Sequence, residues 1–149
     1  MKTNIREYTP SDNHQVLNLL RLNTPEYFAV EEENDFINYL ENEIDFYYVI
    51  ELEGQIVGCG GVNFRDENTG VISWGIIHPE YQKMRLGSKL LTHRIQELQK
   101  IEKITRITVR TTQLVFPFFE KNGFKLVNII ENYWADGFHL YEMDYEIKI

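Results

Sequence analysis

Strand-like and helix-like patterns of apolar and polar positions alternate along this chain, which points to a mixed α/β sheet. Asn4 to Tyr8 reads as a short strand, followed by turn and cap chemistry at Thr9-Pro10-Ser11-Asp12. Val16, Leu17, Leu19 and Leu20 mark a first helix, ended at Asn23-Thr24-Pro25. A second helix starts in Glu31-Glu32-Glu33, where acidic residues suit the positive end of the dipole. It carries Phe36, Ile37, Leu40 and Ile44 at helical spacing. Asp45 to Glu51 is aromatic and β-branched and predicts a strand, and Glu53-Gly54 a tight turn into Gln55 to Phe64. Gly58, Gly60 and Gly61 inside that strand predict a bulge or a close backbone approach. Asp66 to Gly70 is read as a hairpin loop, and Val71 to Ile77 as the next strand, stopped at His78-Pro79.

The third helix has the clearest pattern: Leu86, Leu90, Leu91, Ile95, Leu98 and Ile101. In the strand Ile104 to Arg110, Ile107 and Val109 oppose Arg106, Thr108 and Arg110. Leu114 to Asn122 predicts a short helix with Gly123 as its C′ residue. Phe124 to Glu131 and Phe138 to Ile147 close the chain as paired strands, with Tyr133 to Gly137 as the turn. The order is β-α-α-β-β-β-α-β-α-β-β: antiparallel hairpins first, then a β-α-β unit.

Composition narrows the class. At 149 residues the chain fits one domain, residues 1–149, with room for an ordinary core. No apolar run approaches the ~20 residues of a membrane helix, and MKTNIREYTP lacks the apolar stretch of a signal peptide. One cysteine, Cys59, excludes an internal disulfide, and no Cys/His cluster suggests a metal. A reducing cytoplasm is the expected setting. Fifteen Lys+Arg against 23 Asp+Glu give a charge of −8, which argues against a nucleic-acid partner. Ordinary solubility explains that charge; a cationic partner or substrate is the other reading.

The chemistry concentrates in Ile72 to Leu91, ISWGIIHPEYQKMRLGSKLL. A strand runs through a proline and a turn into an amphipathic helix. Backbone N–H groups opening a helix, with Lys83 and Arg85 beside them, make an anion site suited to a pyrophosphate. An ordinary connection with two solvated cations fits the same residues equally well.

This segment resembles the GNAT N-acetyltransferases, whose turn reads Gln/Arg-x-x-Gly-x-Gly/Ala after a strand and Val-x-Pro. Here stand Ile77-His78-Pro79, then Gln82, Gly87 and LGSKLL. Phe118-Phe119-Glu120-Lys121-Asn122-Gly123-Phe124 is similar to the family's Phe-Tyr-Glu-Lys-x-Gly-Phe. Ile5-Arg6-Glu7-Tyr8 with Asp12 resembles its usual opening, and the element order matches throughout. The resemblance implies a largely antiparallel sheet of about seven strands flanked by four helices. It implies a splay between the fourth and fifth strands and acetyl-CoA in the cleft.

The remaining assignments follow from that resemblance. Pantetheine pairs with the backbone at Ile77, with Ile76 and His78 adjoining. The Gly75 N–H polarises the thioester carbonyl, an oxyanion-hole interaction. Gln82, Lys83, Met84, Arg85, Leu86, Gly87 and Ser88 hold the pyrophosphate, and Thr112 and Phe119 adjoin the cofactor. Arg85 replaces the turn's earlier glycine and is strained if φ there is positive. Phe119 replaces the tyrosine acid that protonates the departing thiolate. A thiol pKa of about 8.5 makes unassisted departure tolerable; Tyr133 and Tyr141 are substitute acids by type. Each tyrosine reads first as an aromatic packing residue.

For the acceptor side, Tyr27, Phe28 and Trp134 are candidate binding residues, against a hydrophobic clip between helices and a dimer contact. Glu31, Glu32, Glu33, Asp66, Glu67 and Glu131 are carboxylates available as base, and no spacing selects one. His78 reads as a strand-end histidine, His93 as structural and Cys59 as packing. The function expected is acetyl transfer from acetyl-CoA to the amine of a small molecule or peptide, directly in a ternary complex, in a chain that can form a homodimer. The competing readings are a non-catalytic acyl-CoA-binding module and a dimeric interaction protein on the same fold.

Overall fold

In the computed structural model, which describes residues 2–147, the chain order follows the predicted pattern. The expected 1–149 domain also takes in residues 1, 148 and 149, which lie outside the described residues. The elements are β1 (Thr3–Glu7), α1 (Asn13–Leu22), α2 (Glu32–Asn42), β2 (Phe46–Leu52), β3 (Gln55–Asp66) and β4 (Thr69–Ile77). After them come α3 (Leu86–Gln99), β5 (Arg106–Thr111), α4 (Phe116–Lys121), β6 (Phe124–Ala135) and β7 (Phe138–Tyr145). Short 3₁₀ turns at Pro10–Asp12 and Pro79–Met84 precede α1 and α3.

The seven strands form one sheet in the order β1-β2-β3-β4-β5-β7-β6, antiparallel except for β4–β5. Strand alternation sends Tyr47, Val49 and Cys59 to one face, under Val16, Leu20, Phe36 and Leu40 of α1 and α2. The other face sends Ile50, Val57, Ile72, Ile107 and Met143 to Leu90, Leu91, Ile95 and Leu98 of α3, with Phe119 of α4. The helices bury most of the stripes their sequence predicts, and this two-sided burial is the main source of stability.

Where boundaries differ from expectation, local hydrogen bonding decides. The loop expected at Asp66 to Gly70 shrinks to Glu67 and Asn68, because Thr69 and Gly70 already pair with Arg106 and Ile107. Asp66 Oδ1 accepts from Asn68 N at 2.8 Å and closes that turn. α4 begins at Phe116, not Leu114, because the Thr112 carbonyl accepts from both Val115 N and Phe116 N in a preceding turn. Ile44 and Ile101 fall beyond the ends of α2 and α3, and Ile101 is exposed. β6 continues past Glu131 to Ala135 through a bulge at Asn132 (φ 54°), so Tyr133 and Trp134 are strand residues, not turn residues. Asparagine tolerates that left-handed backbone better than most side chains.

Candidate active site

β4 and β5 pair only over Thr69–Ile72 against Arg106–Val109. Ser73 to Ile77 run on without a partner from β5, so the two strands part beyond Ile72 and leave that edge of β4 unpaired. Parallel strands that part in this way leave backbone donors and acceptors free for a ligand.

The splayed stretch carries a bulge. Cys59 and Gly61 of β3 bracket one residue, whereas their partners Ile76 and Ser73 on β4 bracket two. Trp74 absorbs the extra residue at φ 42°, and its carbonyl accepts from Tyr47 Oη at 2.7 Å. Tyr47 is on the α1–α2 face. A trans peptide sets the following N–H opposite its carbonyl, so the Gly75 N–H points to the α3 face. Gly75 itself is exposed. An aromatic cluster supports the bulge: Phe28 stacks on Trp74 (6.1 Å between centroids), and Phe36 and Tyr39 pack against it at 4.9 and 6.1 Å.

At the end of β4, His78 N–H goes to the Val57 carbonyl, so by strand alternation the polar groups of Ile77 turn away from β3. The Ile77 carbonyl is already occupied, by Asn23 Nδ2 at 3.1 Å and Gln82 Nε2 at 3.3 Å, which leaves its N–H for a ligand. Gln82 Nε2 also donates to Asn23 Oδ1 at 3.0 Å, so its side chain braces the turn against the end of α1. His78 Nδ1 accepts from Glu80 N at 3.1 Å and caps the 3₁₀ turn.

Arg85 is the residue before α3 and adopts φ 61°, ψ 18°. The sequence leaves open whether this position needs positive φ; it does, and the arginine carries the strain. No side chain caps the helix, so the first-turn amides of Leu86, Gly87 and Ser88 are free to meet an anion. Lys83 and Arg85 are exposed beside them, whereas Leu86 points into the core and Met84 packs on its edge. A Cβ on Gly87 would approach Phe118 Cε1 to 3.3 Å, so α3 and α4 come close together at this glycine.

Thr112 follows β5 and Phe119 lies on α4, and both are buried. Thr112 Oγ1 accepts from Leu114 N at 3.2 Å, which fixes the start of α4. Phe119 is buried, edge-on to Phe118 and Phe124 at 5.1 and 5.3 Å. Tyr141 pairs in register with Thr111 and meets Phe116 edge-on at 5.2 Å. Trp134 donates from Nε1 to the Thr111 carbonyl at 3.1 Å, and Arg110 lies over the Tyr133 ring at 4.8 Å. Trp134 and Tyr141 therefore both lie by the end of β5, while Phe28 lies at the bulge of β4. Tyr27 is half-buried, in a loop held by its N–H to the Asn23 carbonyl at 2.8 Å.

The family model for the acetyltransferase (GNAT) family matches residues 13–124, a span that holds the splay, the bulge and the α3 turn. The chain belongs to this family. An amino-acid acetyltransferase of Actinobacillus pleuropneumoniae is 32% identical over 127 residues, 83% of this chain and 27% of that protein. The chain thus spans about a quarter of the length of such relatives. Among solved structures, Ard1 from Thermoplasma volcanium covers the whole chain at TM-score 0.84 and 17% identity, and all of its own length aligns. N-acetylglutamate synthase from Neisseria gonorrhoeae, complexed with coenzyme A and N-acetyl-glutamate, covers the whole chain at TM-score 0.77 and 21% identity, through 36% of its own length. These likenesses establish the seven-strand GNAT fold.

Of the carboxylates read as bases, Glu33 pairs with Arg21 Nε at 2.8 Å and Asp66 closes its turn. Glu32 is buried and accepts from Ala29 N at 2.8 Å; burial raises its pKa. Glu67 lies 3.9 Å from Lys103, and Glu131 is exposed on β6. Cys59 is fully buried, and burial pushes its thiol up to about 12, which disfavours the nucleophilic thiolate. His93 packs edge-on to Tyr48 at 4.8 Å. Among the described residues no group of three or more His, Cys, Asp or Glu could hold a metal, and no helix is long and apolar enough to cross a membrane.

Sequence reading missed Arg94. It lies on the sheet-facing stripe of α3 between Leu90 and Leu98, and it is only 3% exposed. A charge at a stripe position opposite a cluster of glycines was the available signal.

Proposed function

We propose that this chain is an acetyl-CoA-dependent N-acetyltransferase that moves the acetyl group directly to an amine within a ternary complex. The observation that carries this reading is the splay of β4 from β5, with the Gly75 N–H and the free first-turn amides of α3 along one edge. Pantetheine runs beside Ile76 and Ile77, and the pyrophosphate meets Gly87 and Ser88 with Lys83 and Arg85 as counter-charges. Acetyl-CoA supplies the activated acyl group.

The amine nitrogen attacks the thioester carbon, forming the C–N bond. The C–S bond then breaks with its electron pair on sulfur. The ammonium releases its proton to water or a carboxylate, and the thiolate takes one up to become the CoA thiol. The low pKa of a thiol, about 8.5, lessens the need for an acid at Phe119; Tyr141 is the nearest tyrosine to the end of β5 in register. The acceptor is a small molecule or peptide carrying an amine, entering beside Phe28 and Tyr27 on one side and Trp134 on the other. The relatives' substrates, amino acids among them, are of this class. The enzyme works in the cytoplasm, where the free Cys59 thiol stays reduced.

A homodimer through β6 belongs to the same reading. β6 is the terminal strand of the sheet, and Leu126, Val127, Ile129 and Ile130 on it are 40–51% exposed. The function is tested by titrating the protein with acetyl-CoA and CoA, then assaying thiol release across amines. Binding without release to any amine would favour an acyl-CoA-binding module instead.

A further inference from the structure

The Arg94 guanidinium passes from α3 to the underside of the bulge. A Cβ on Gly60 would come within 2.7 Å of Arg94 Cζ, and one on Gly75 within 3.1 Å of Nη2. The bare backbone of these two glycines is what admits the guanidinium.

Its interactions are poor for a buried cation. Nη1 donates to the Gly61 and Ser73 carbonyls, both at a long 3.3 Å. Nε is buried and has no partner. Among the described residues no carboxylate pairs with Arg94, and Nη2 makes no hydrogen bond. Burial lowers its pKa to about 10, so it is still charged at neutral pH. An unpaired buried cation is destabilising, and replacing it with an apolar side chain of similar size often stabilises a fold. Packing alone therefore does not account for an arginine here.

The free edge of the guanidinium faces a reacting centre. The Trp74 carbonyl is fixed by Tyr47 on one face of the sheet, so the Gly75 N–H points to the other, where Nη2 lies. We infer that Arg94 is a catalytic residue whose Nη2, with the Gly75 N–H, forms a two-donor site for the thioester oxygen. This inference rests on the acetyltransferase reading and names a further group in that site. The thioester oxygen is nearly neutral in the ground state and takes a full negative charge when the amine adds. The unpaired guanidinium gains its counter-ion at that moment, the differential stabilisation that speeds a reaction.

The test needs no known acceptor. Acetyl-CoA labelled with ¹³C at the carbonyl is bound to wild type, Arg94→Met and Arg94→Gln, and the carbonyl stretch is read by difference infrared spectroscopy. Wild type shifts the stretch to lower frequency than in water; Arg94→Met returns most of that shift. Acetyl-CoA affinity changes by less than about threefold, because the nucleotide contacts are untouched. Acetyl transfer to any amine that wild type accepts falls about 10²–10³-fold in kcat, the cost of one oxyanion donor. The thermal midpoint of Arg94→Met equals or exceeds wild type. A merely structural arginine would give the reverse: a lower midpoint and an unmoved carbonyl.

An unchanged stretch in a folded variant with acetyl-CoA bound overturns the role of Arg94 and leaves the acetyltransferase reading intact. Failure of wild type to bind acetyl-CoA overturns both. If Arg94→Met does not fold, Arg94→Gln carries the same readouts. Failure of both to fold makes Arg94 structural and refutes the inference.

Discussion

Arg85→Gly should move stability and cofactor affinity in opposite directions. Arg85 has φ 61°, ψ 18° and makes no side-chain cap to α3. A left-handed backbone costs a side-chain-bearing residue about 1–2 kcal/mol. Glycine removes that strain but adds freedom to the unfolded chain, returning roughly 0.5–1 kcal/mol. The net gain of about 0.5–1 kcal/mol raises Tm by roughly 1–4 °C for a domain of this size. The same change removes a cation beside the α3 amides. A hydrogen bond to a charged group is worth about 1.5–3 kcal/mol, and the exposure of Arg85 puts its share at the lower end, roughly a tenfold loss of acetyl-CoA affinity. Scanning calorimetry reads the first effect and isothermal titration the second. Arg85→Lys is the control, since it keeps both the strain and the charge and should leave both values near wild type. A lower Tm in Arg85→Gly would refute the strain argument, and unchanged affinity would remove Arg85 from the phosphate site.

Three further outcomes are expected. Asp12 is buried and takes a two-pronged ion pair from Arg6 at 2.9 and 3.0 Å, which lowers its pKa. Asp12→Asn should cost about 1–2 kcal/mol at pH 7; a depressed carboxylate gives its stability above its unfolded pKa, so the cost should shrink below pH 4 in urea titrations. Glu32 has the opposite sign: burial raises its pKa, so its ionised form is the destabilising one. Glu32→Gln should raise Tm at pH 7 with no gain at pH 4. Ile130→Lys on the exposed edge strand should yield a monomer by light scattering, with acetyl-CoA affinity unchanged; a monomeric wild type would dismiss β6 as a copy–copy contact.

Much of the fold was legible because its helices and strands keep their own periods. The stripe Leu86, Leu90, Leu91, Ile95, Leu98 does bury against the sheet. Boundaries were less legible where distant pairing sets them. Thr69 is a strand residue because Arg106 lies beside it, which no local pattern records. The Asn132 bulge likewise moved Tyr133 and Trp134 from a turn into a strand. In the site, the turn from Gln82 to Ser88 stood out through its resemblance to the family's turn, but the use of Gln82 as a brace to Asn23 depends on α1 packing nearby. The Trp74 carbonyl at the bulge is held by the Tyr47 hydroxyl, 27 residues away in sequence, which no local pattern records. Arg94 went unread because its significance lies in glycines on two other strands.

On the proposed function, the unpaired edge of β4 and the uncapped start of α3 form an acetyl-CoA site. Calorimetric titration of the wild-type protein with acetyl-CoA, beside Gly87→Glu, tests it most directly. The variant sets a carboxylate beside the first-turn amides of α3, where an added Cβ would come within 3.3 Å of Phe118. Wild type should bind in the micromolar range, and the variant, folded by circular dichroism, at least a hundredfold more weakly. No binding to folded wild type, or equal binding by both proteins, would contradict it.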